Sequence, residues 1–165
     1  MRRKGLEKFI VVLLRFSLGW ILLWSFSDKL FGLGYSTSEG EAWKDGVSPT
    51  EEFLLGVSSE NPLVEVFEAL AGQPWVDWVF MGGLAAIGVA LILGIMMRLA
   101  GIMGACMMLL IFLAVIPAED DPLLTYHLVY VLLFLFLAAI PSGEWFGLGK
   151  KWSRLKLVQN FPFLK

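Results

Sequence analysis

A carboxylate and an imidazole, Asp28 and His127, stand in stretches of sequence that are otherwise almost wholly apolar. An imidazole titrates near neutrality and an environment can tune a carboxylate toward it, so such groups can exchange protons with a bound ligand. Trp24 and Lys29 flank Asp28, Tyr126 and Tyr130 flank His127, and Trp75, Asp77 and Trp78 open a third apolar stretch. Donors, acceptors and aromatic walls are what a quinone headgroup requires. Its carbonyls need hydrogen-bond donors, and its two-electron reduction needs two protons. A blander reading stands beside this one: Asp28 and Lys29 as a structural ion pair, and His127 as an interfacial residue. Arg15 and Arg98 are expected at the opposite side of the membrane. Each either snorkels to headgroups, the reading favoured for Arg98, or holds an acidic partner such as Glu7 or Glu144.

The elements that position these residues follow from composition. Of the 165 residues, 58% are hydrophobic and only 17% charged, with a mean hydropathy of +0.73. A soluble domain of this length needs more polar surface, so a membrane protein is expected. The helix around residues 15–35 is its spine. At 100° per residue Ser17, Ile21, Trp24 and Asp28 share one face, and Arg15, Leu22, Ser25 and Lys29 fall roughly on another. Ionisable groups at membrane depth are expensive and normally face protein, water or one another.

Span 1 is read over about 9–33. From Val79 to Ile116 the sequence is apolar except at Arg98, and as one helix it would reach about 57 Å, against about 30 Å of hydrocarbon. It must therefore fold in two, with spans over about 76–97 and 99–116 and the turn near Gly94 to Gly101. A fourth span covers about 123–140, after an acidic turn at 117–122. Gly82, Ala86, Ala90 and Gly94, continued by Gly101 and Ala105, form stripes expected to pack helices closely.

Basic residues crowd both ends of the chain, whereas acids dominate residues 36–77. The positive-inside rule then places both termini in the cytoplasm and the long segment 36–74 outside. The expected fold is an all-α, integral membrane four-helix bundle, N-in and C-in, forming one domain over 1–165. Short interfacial helices are expected in the outer loop: Ser48-Pro49-Thr50-Glu51 and Asn61-Pro62 read as helix starts, and Gly72 as a stop. Leu63, Val66, Phe67 and Leu70 share the apolar face of the second, which lies along the interface or folds back as a lid. Residues 143–165 read as a cytoplasmic interfacial tail. The start of the chain has the charge and apolar core of a signal peptide, but the run is too long and no small-residue cleavage site follows, so it is taken as a retained span. One histidine and the lone Cys106 leave no metal or haem site evident, and Cys106 is expected as a buried core residue. No nucleic-acid signature is present.

Several strings resemble the DoxD branch of the DoxX superfamily. They are residues 18–35 (LGWILLWSFSDKLFGLGY), 46–50 (GVSPT), 75–84 (WVDWVFMGGL), 88–94 (GVALILG) with Arg98, and 121–130 around His127. The resemblance runs from about Arg15 to Trp152. It implies a four-span bundle in the cell membrane, with quinone as electron acceptor. It also implies a membrane subunit of a thiosulfate:quinone oxidoreductase, which joins thiosulfate into tetrathionate. A small DoxA-like subunit is implied as a partner; no DoxA-like domain is appended here, so it is expected as a separate chain. Homo-oligomerisation is left open. The rival reading is a non-catalytic assembly, cargo-receptor or accessory protein on the same bundle.

Overall fold

The computed structural model describes residues 2–117 and 125–164, apart from the side chains of Arg2, Arg3, Lys4 and Pro162. The acidic turn beyond Pro117 and the start of the fourth span at Leu123 lie outside the described residues. Among those described, every regular element is a helix: α1 (Arg2–Phe31), α2 (Glu51–Leu55), α3 (Val64–Leu70), α4 (Pro74–Leu93), α5 (Met97–Val115), α6 (Tyr126–Ala139), α7 (Gly149–Trp152) and α8 (Lys156–Asn160). Three of them, α1 over Gly5–Phe31, α4 and α5, are long and apolar enough to cross a membrane. The chain is a membrane protein by this measure. The apolar α6 is 14 residues long, about 21 Å and short of the hydrocarbon thickness by itself. Leu13 and Trp20 of α1 and Leu132 and Leu135 of α6 stay exposed, as lipid-facing side chains do.

The helices pack as two pairs, α1 on α4 and α5 on α6, joined through α4 and α5. The core between them is made of Val11, Leu18, Leu22, Met81, Leu84, Leu91, Met108, Phe134 and Leu137. Two close crossings set the geometry. A β-carbon on Gly88 of α4 would lie 2.7 Å from Leu23 and 3.1 Å from the Gly19 carbonyl, and one on Gly19 would lie 3.1 Å from the Gly88 carbonyl. In α5, a β-carbon on Gly101 would meet the Phe134 carbonyl at 2.6 Å, and one on Gly104 the Phe134 ring. The small-residue stripe expected over α4 is therefore only partly an interface. Ala90 is buried, but Gly82 and Ala86 are exposed, and nothing lies within 4 Å of a β-carbon at Gly82. Gly88, two positions along the helix from Ala86 and so on the far side of it, makes the contact instead. Cys106 is exposed, not buried, because α5 turns its 101, 104, 105 and 108 positions inward.

The expected break between spans 2 and 3 falls at 94–96. Gly94 ends α4 in the left-handed region (φ 70°), and its N–H donates to the Ala90 carbonyl at 2.8 Å. A side chain there would run into Arg15 and Gly143. This turn, the start of α1, the end of α6 and the chain after it form one end of the molecule, the tail end. The loop end carries residues 32–73.

At the loop end the anticipated helix starts are present. The Ser48 hydroxyl oxygen accepts the N–H groups of Thr50 (3.4 Å) and Glu51 (3.1 Å) ahead of α2. The Asn61 side-chain carbonyl accepts from Leu63 N–H at 2.7 Å ahead of α3. Asn61 does more than cap: its amide donates to the carbonyls of Leu113, Ala114 and Ile116, which α5 leaves without helical partners. Phe67 of α3 and Leu54 of α2 bury against Ala114, so this segment folds back onto the end of α5. Only Phe67 and Leu70 of the expected apolar face do so; Leu63 and Val66 are exposed.

Candidate functional site

Three ionisable residues that stood out by type and place are consumed by the fold. Arg15 is fully buried, and all three of its hydrogen bonds end on backbone carbonyls: Nη1 to Ser142 (2.6 Å) and Trp145 (3.1 Å), Nη2 to Phe146 (2.9 Å). It neither snorkels nor pairs with Glu7 or Glu144, both of which are exposed. A planar guanidinium can serve several carbonyls at once, which is how it clamps the turn after α6 onto α1. Arg98 by contrast is exposed in the first turn of α5, as a snorkelling side chain would be.

Asp28 is 1% exposed although it lies on the face of α1 with Ser17, Ile21 and Trp24, which are open. What covers it is local. The chain doubles back after Gly32 (φ 66°), and the carboxylate accepts from Tyr35 N–H (3.2 Å), Ser36 N–H (2.9 Å) and Ser36 hydroxyl (2.6 Å). Its hydrogen bonds thus go to the turn rather than to Lys29. Asp77, in the first turn of α4, is used similarly: it accepts the hydroxyls of Ser48 (2.8 Å) and Thr50 (2.6 Å), fixing the segment ahead of α2 to the bundle.

The aromatic residues divide. Trp75 and Trp78 are more than half exposed, and Trp78 meets Trp43 edge-to-face at 4.7 Å. Trp24 stacks on Trp20 at 5.9 Å and meets Tyr35 edge-on at 5.1 Å. These belong to an aromatic rim at the loop end. Tyr126, His127 and Tyr130 instead reach a cavity of about 180 Å3, whose wall also includes Ser25 and Leu18 of α1 and Met108 of α5. His127 is 7% exposed, its Nδ1 lies 3.3 Å from the Thr125 hydroxyl, and the Tyr126 ring lies over it at 4.0 Å. Tyr130 meets Tyr126 edge-to-face at 6.1 Å.

Asp28 does not line that cavity, and neither do Trp24, Lys29, Trp75, Asp77 or Trp78. The structure therefore brings together His127, Tyr126 and Tyr130 of the expected site, and adds Ser25, which sequence reading placed only on a helix face. Its signal was a polar residue on the same side of α1 as Leu18 and Leu22. At 180 Å3 the space is below the ~300 Å3 of ordinary small-molecule pockets. It suits one ring with a few polar contacts, the remainder of the ligand lying outside. No cluster of three or more potential metal ligands exists among the described residues. Compared with family models, with curated proteins and with solved structures, the chain matches none.

Proposed function

We propose that the chain is a four-span protein of the cell membrane, N-in and C-in, that binds the headgroup of a membrane quinone in the cavity beside His127. In this reading it is the membrane subunit of a thiosulfate:quinone oxidoreductase-like complex, as its resemblance to DoxD implies. A DoxA-like chain is then its partner, and thiosulfate or another sulfur compound its donor. The single observation that carries the site is an apolar, ring-sized cavity holding one histidine, two tyrosines and a serine. Oxidation joins two thiosulfates through a new S–S bond and releases two electrons. The quinone takes up both electrons and two protons to become the quinol. The His127 Nε2 is the ring nitrogen not engaged with Thr125; as N–H it donates to one quinone carbonyl and supplies one proton. The second arrives from water at the loop end.

A second reading, a non-catalytic membrane assembly or accessory protein, is favoured by a different observation. Arg15, Asp28 and Asp77 all direct their hydrogen bonds to groups of their own chain. Extraction with native lipid separates the two. Quinone should co-purify with the parent and fall about tenfold in His127→Gln, the loss of one hydrogen bond from a buried site, with the melting temperature held. No quinone in the parent, or full occupancy in both His127→Gln and Tyr130→Phe, would leave the assembly reading standing.

A further inference from the structure

A larger cavity than the one beside His127 lies elsewhere. At the tail end, about 370 Å3 opens between the α4–α5 turn, the end of α6 and α7. Its wall carries two ionisable side chains of opposite sign, Arg98 at the start of α5 and Glu144 after α6. Both are exposed. Between them the lining is mostly apolar, including Met96 and Ile140, with Trp152 and Ser153 on the α7 side.

Three features bear on what such a space would hold. It sits where the membrane-length α4 ends and α5 begins, which in the proposed topology is the depth at which lipid headgroups lie. The chain beside it mixes exposed apolar side chains, Leu155, Leu157, Phe161 and Phe163, with the basic Lys150, Lys151, Arg154 and Lys156, the composition of a segment lying on a membrane surface. Behind the Gly94 and Gly143 wall lies the buried Arg15, whose Nε has no hydrogen-bond partner among the described residues and whose Nη1 and Nη2 donate to uncharged carbonyls. The cavity wall thus carries one cation, Arg98, and one carboxylate, Glu144, with a second cation, Arg15, buried behind it against the Gly94 and Ser142–Trp145 backbone.

We infer that this cavity is a binding site for a zwitterionic phospholipid headgroup of the phosphoethanolamine class. The phosphate is held by the Arg98 guanidinium, which can donate two parallel hydrogen bonds to phosphate oxygens. The primary ammonium is held by the Glu144 carboxylate. The acyl chains leave along the apolar side by Met96 and Ile140. A choline headgroup offers the carboxylate no N–H donor, and a glycerol headgroup offers it no positive charge. The pairing of opposite charges in one cavity therefore selects the ethanolamine form. This site is separate from the cavity at His127 and does not depend on quinone binding.

The test is lipid retention by the full-length protein in detergent, read by native mass spectrometry after exchange into defined phosphatidylethanolamine, phosphatidylcholine or phosphatidylglycerol. The parent should keep one phosphatidylethanolamine about tenfold more tightly than either other lipid, the worth of a charge-assisted hydrogen bond. Glu144→Gln should erase that preference, and Arg98→Gln should weaken retention of all three. Lys150→Gln, outside the cavity, should do neither. Both lining residues are exposed, so their variants should fold. Ala139→Trp, at the exposed end of α6 and on the cavity wall, fills the space without changing charge and should expel the lipid. Equal retention of the three lipids by the parent, or unchanged preference in Glu144→Gln, overturns the assignment. So does displacement of the lipid by soluble phosphoethanolamine at comparable concentration, which would make the ligand a water-soluble phosphate.

Discussion

The Asp28 carboxylate accepts three hydrogen bonds from Tyr35 and Ser36, so it holds the chain's exit from α1 in place. Asparagine would keep the size and one acceptor but would turn an N–H2 group toward donors. Hydrogen bonds to a charged group contribute about 1.5–3 kcal/mol each. Asp28→Asn should therefore destabilise the protein by about 2–3 kcal/mol while quinone occupancy per folded molecule stays at the parental level. Thermal melts in detergent beside extracted-quinone analysis check this. An unshifted melt with lost quinone would instead move Asp28 into the ligand site. Arg15 teaches the same lesson from the other end: its charge is held by the carbonyls of Ser142, Trp145 and Phe146, and its role is to dock the turn after α6.

Helix pairing is decided at Gly19 and Gly88, where each backbone carbonyl sits at 3.1 Å from the other's would-be side chain. Overpacking such a contact costs about 1–3 kcal/mol. Gly88→Leu should thus lower the melting temperature sharply, whereas Ala86→Leu, on the exposed face two positions away, should melt within a degree or so of the parent. A melt shift for Ala86→Leu as large as that for Gly88→Leu would mean that the outer face of α4 is itself covered in the membrane. Spacing in sequence singles out Gly82, Ala86, Ala90 and Gly94 because they recur every four residues. It does not single out Gly88, because which face of α4 meets α1 depends on the rotation of both helices about their axes. That rotation is set by the combined packing of Leu18, Leu22, Leu84 and Leu91.

For the molecule as a whole, the proposed topology puts residues 36–74 and Lys150 on opposite sides of the membrane. In a Cys106→Ala background, needed because Cys106 is exposed, Glu41→Cys should react with an impermeant thiol reagent on intact cells. Lys150→Cys should react only after the membrane is opened. Labelling of Lys150→Cys from outside would reverse the orientation and with it the side on which each cavity lies.

Much of this architecture is written in composition and local order. Apolar runs longer than a core helix needs, broken at Gly94, dictate membrane-length helices, since a hydrophobic stretch must find either lipid or protein. Ser48, Asn61 and Gly72 announce the short helices because capping is a contact between near neighbours. The partners of Asp28, Arg15 and Asn61 were not legible in this way. A carboxylate on a helix face looks the same in sequence whether it meets a ligand, Lys29 or a turn eight residues on. Arg15 finds its carbonyls more than 120 residues away. Only the tertiary structure decides between such partners, because a buried charge takes whichever polar groups the packed backbone delivers to it. By the same token, the sequence presented Asp28 and His127 as equals, and the packing left only His127 facing a cavity.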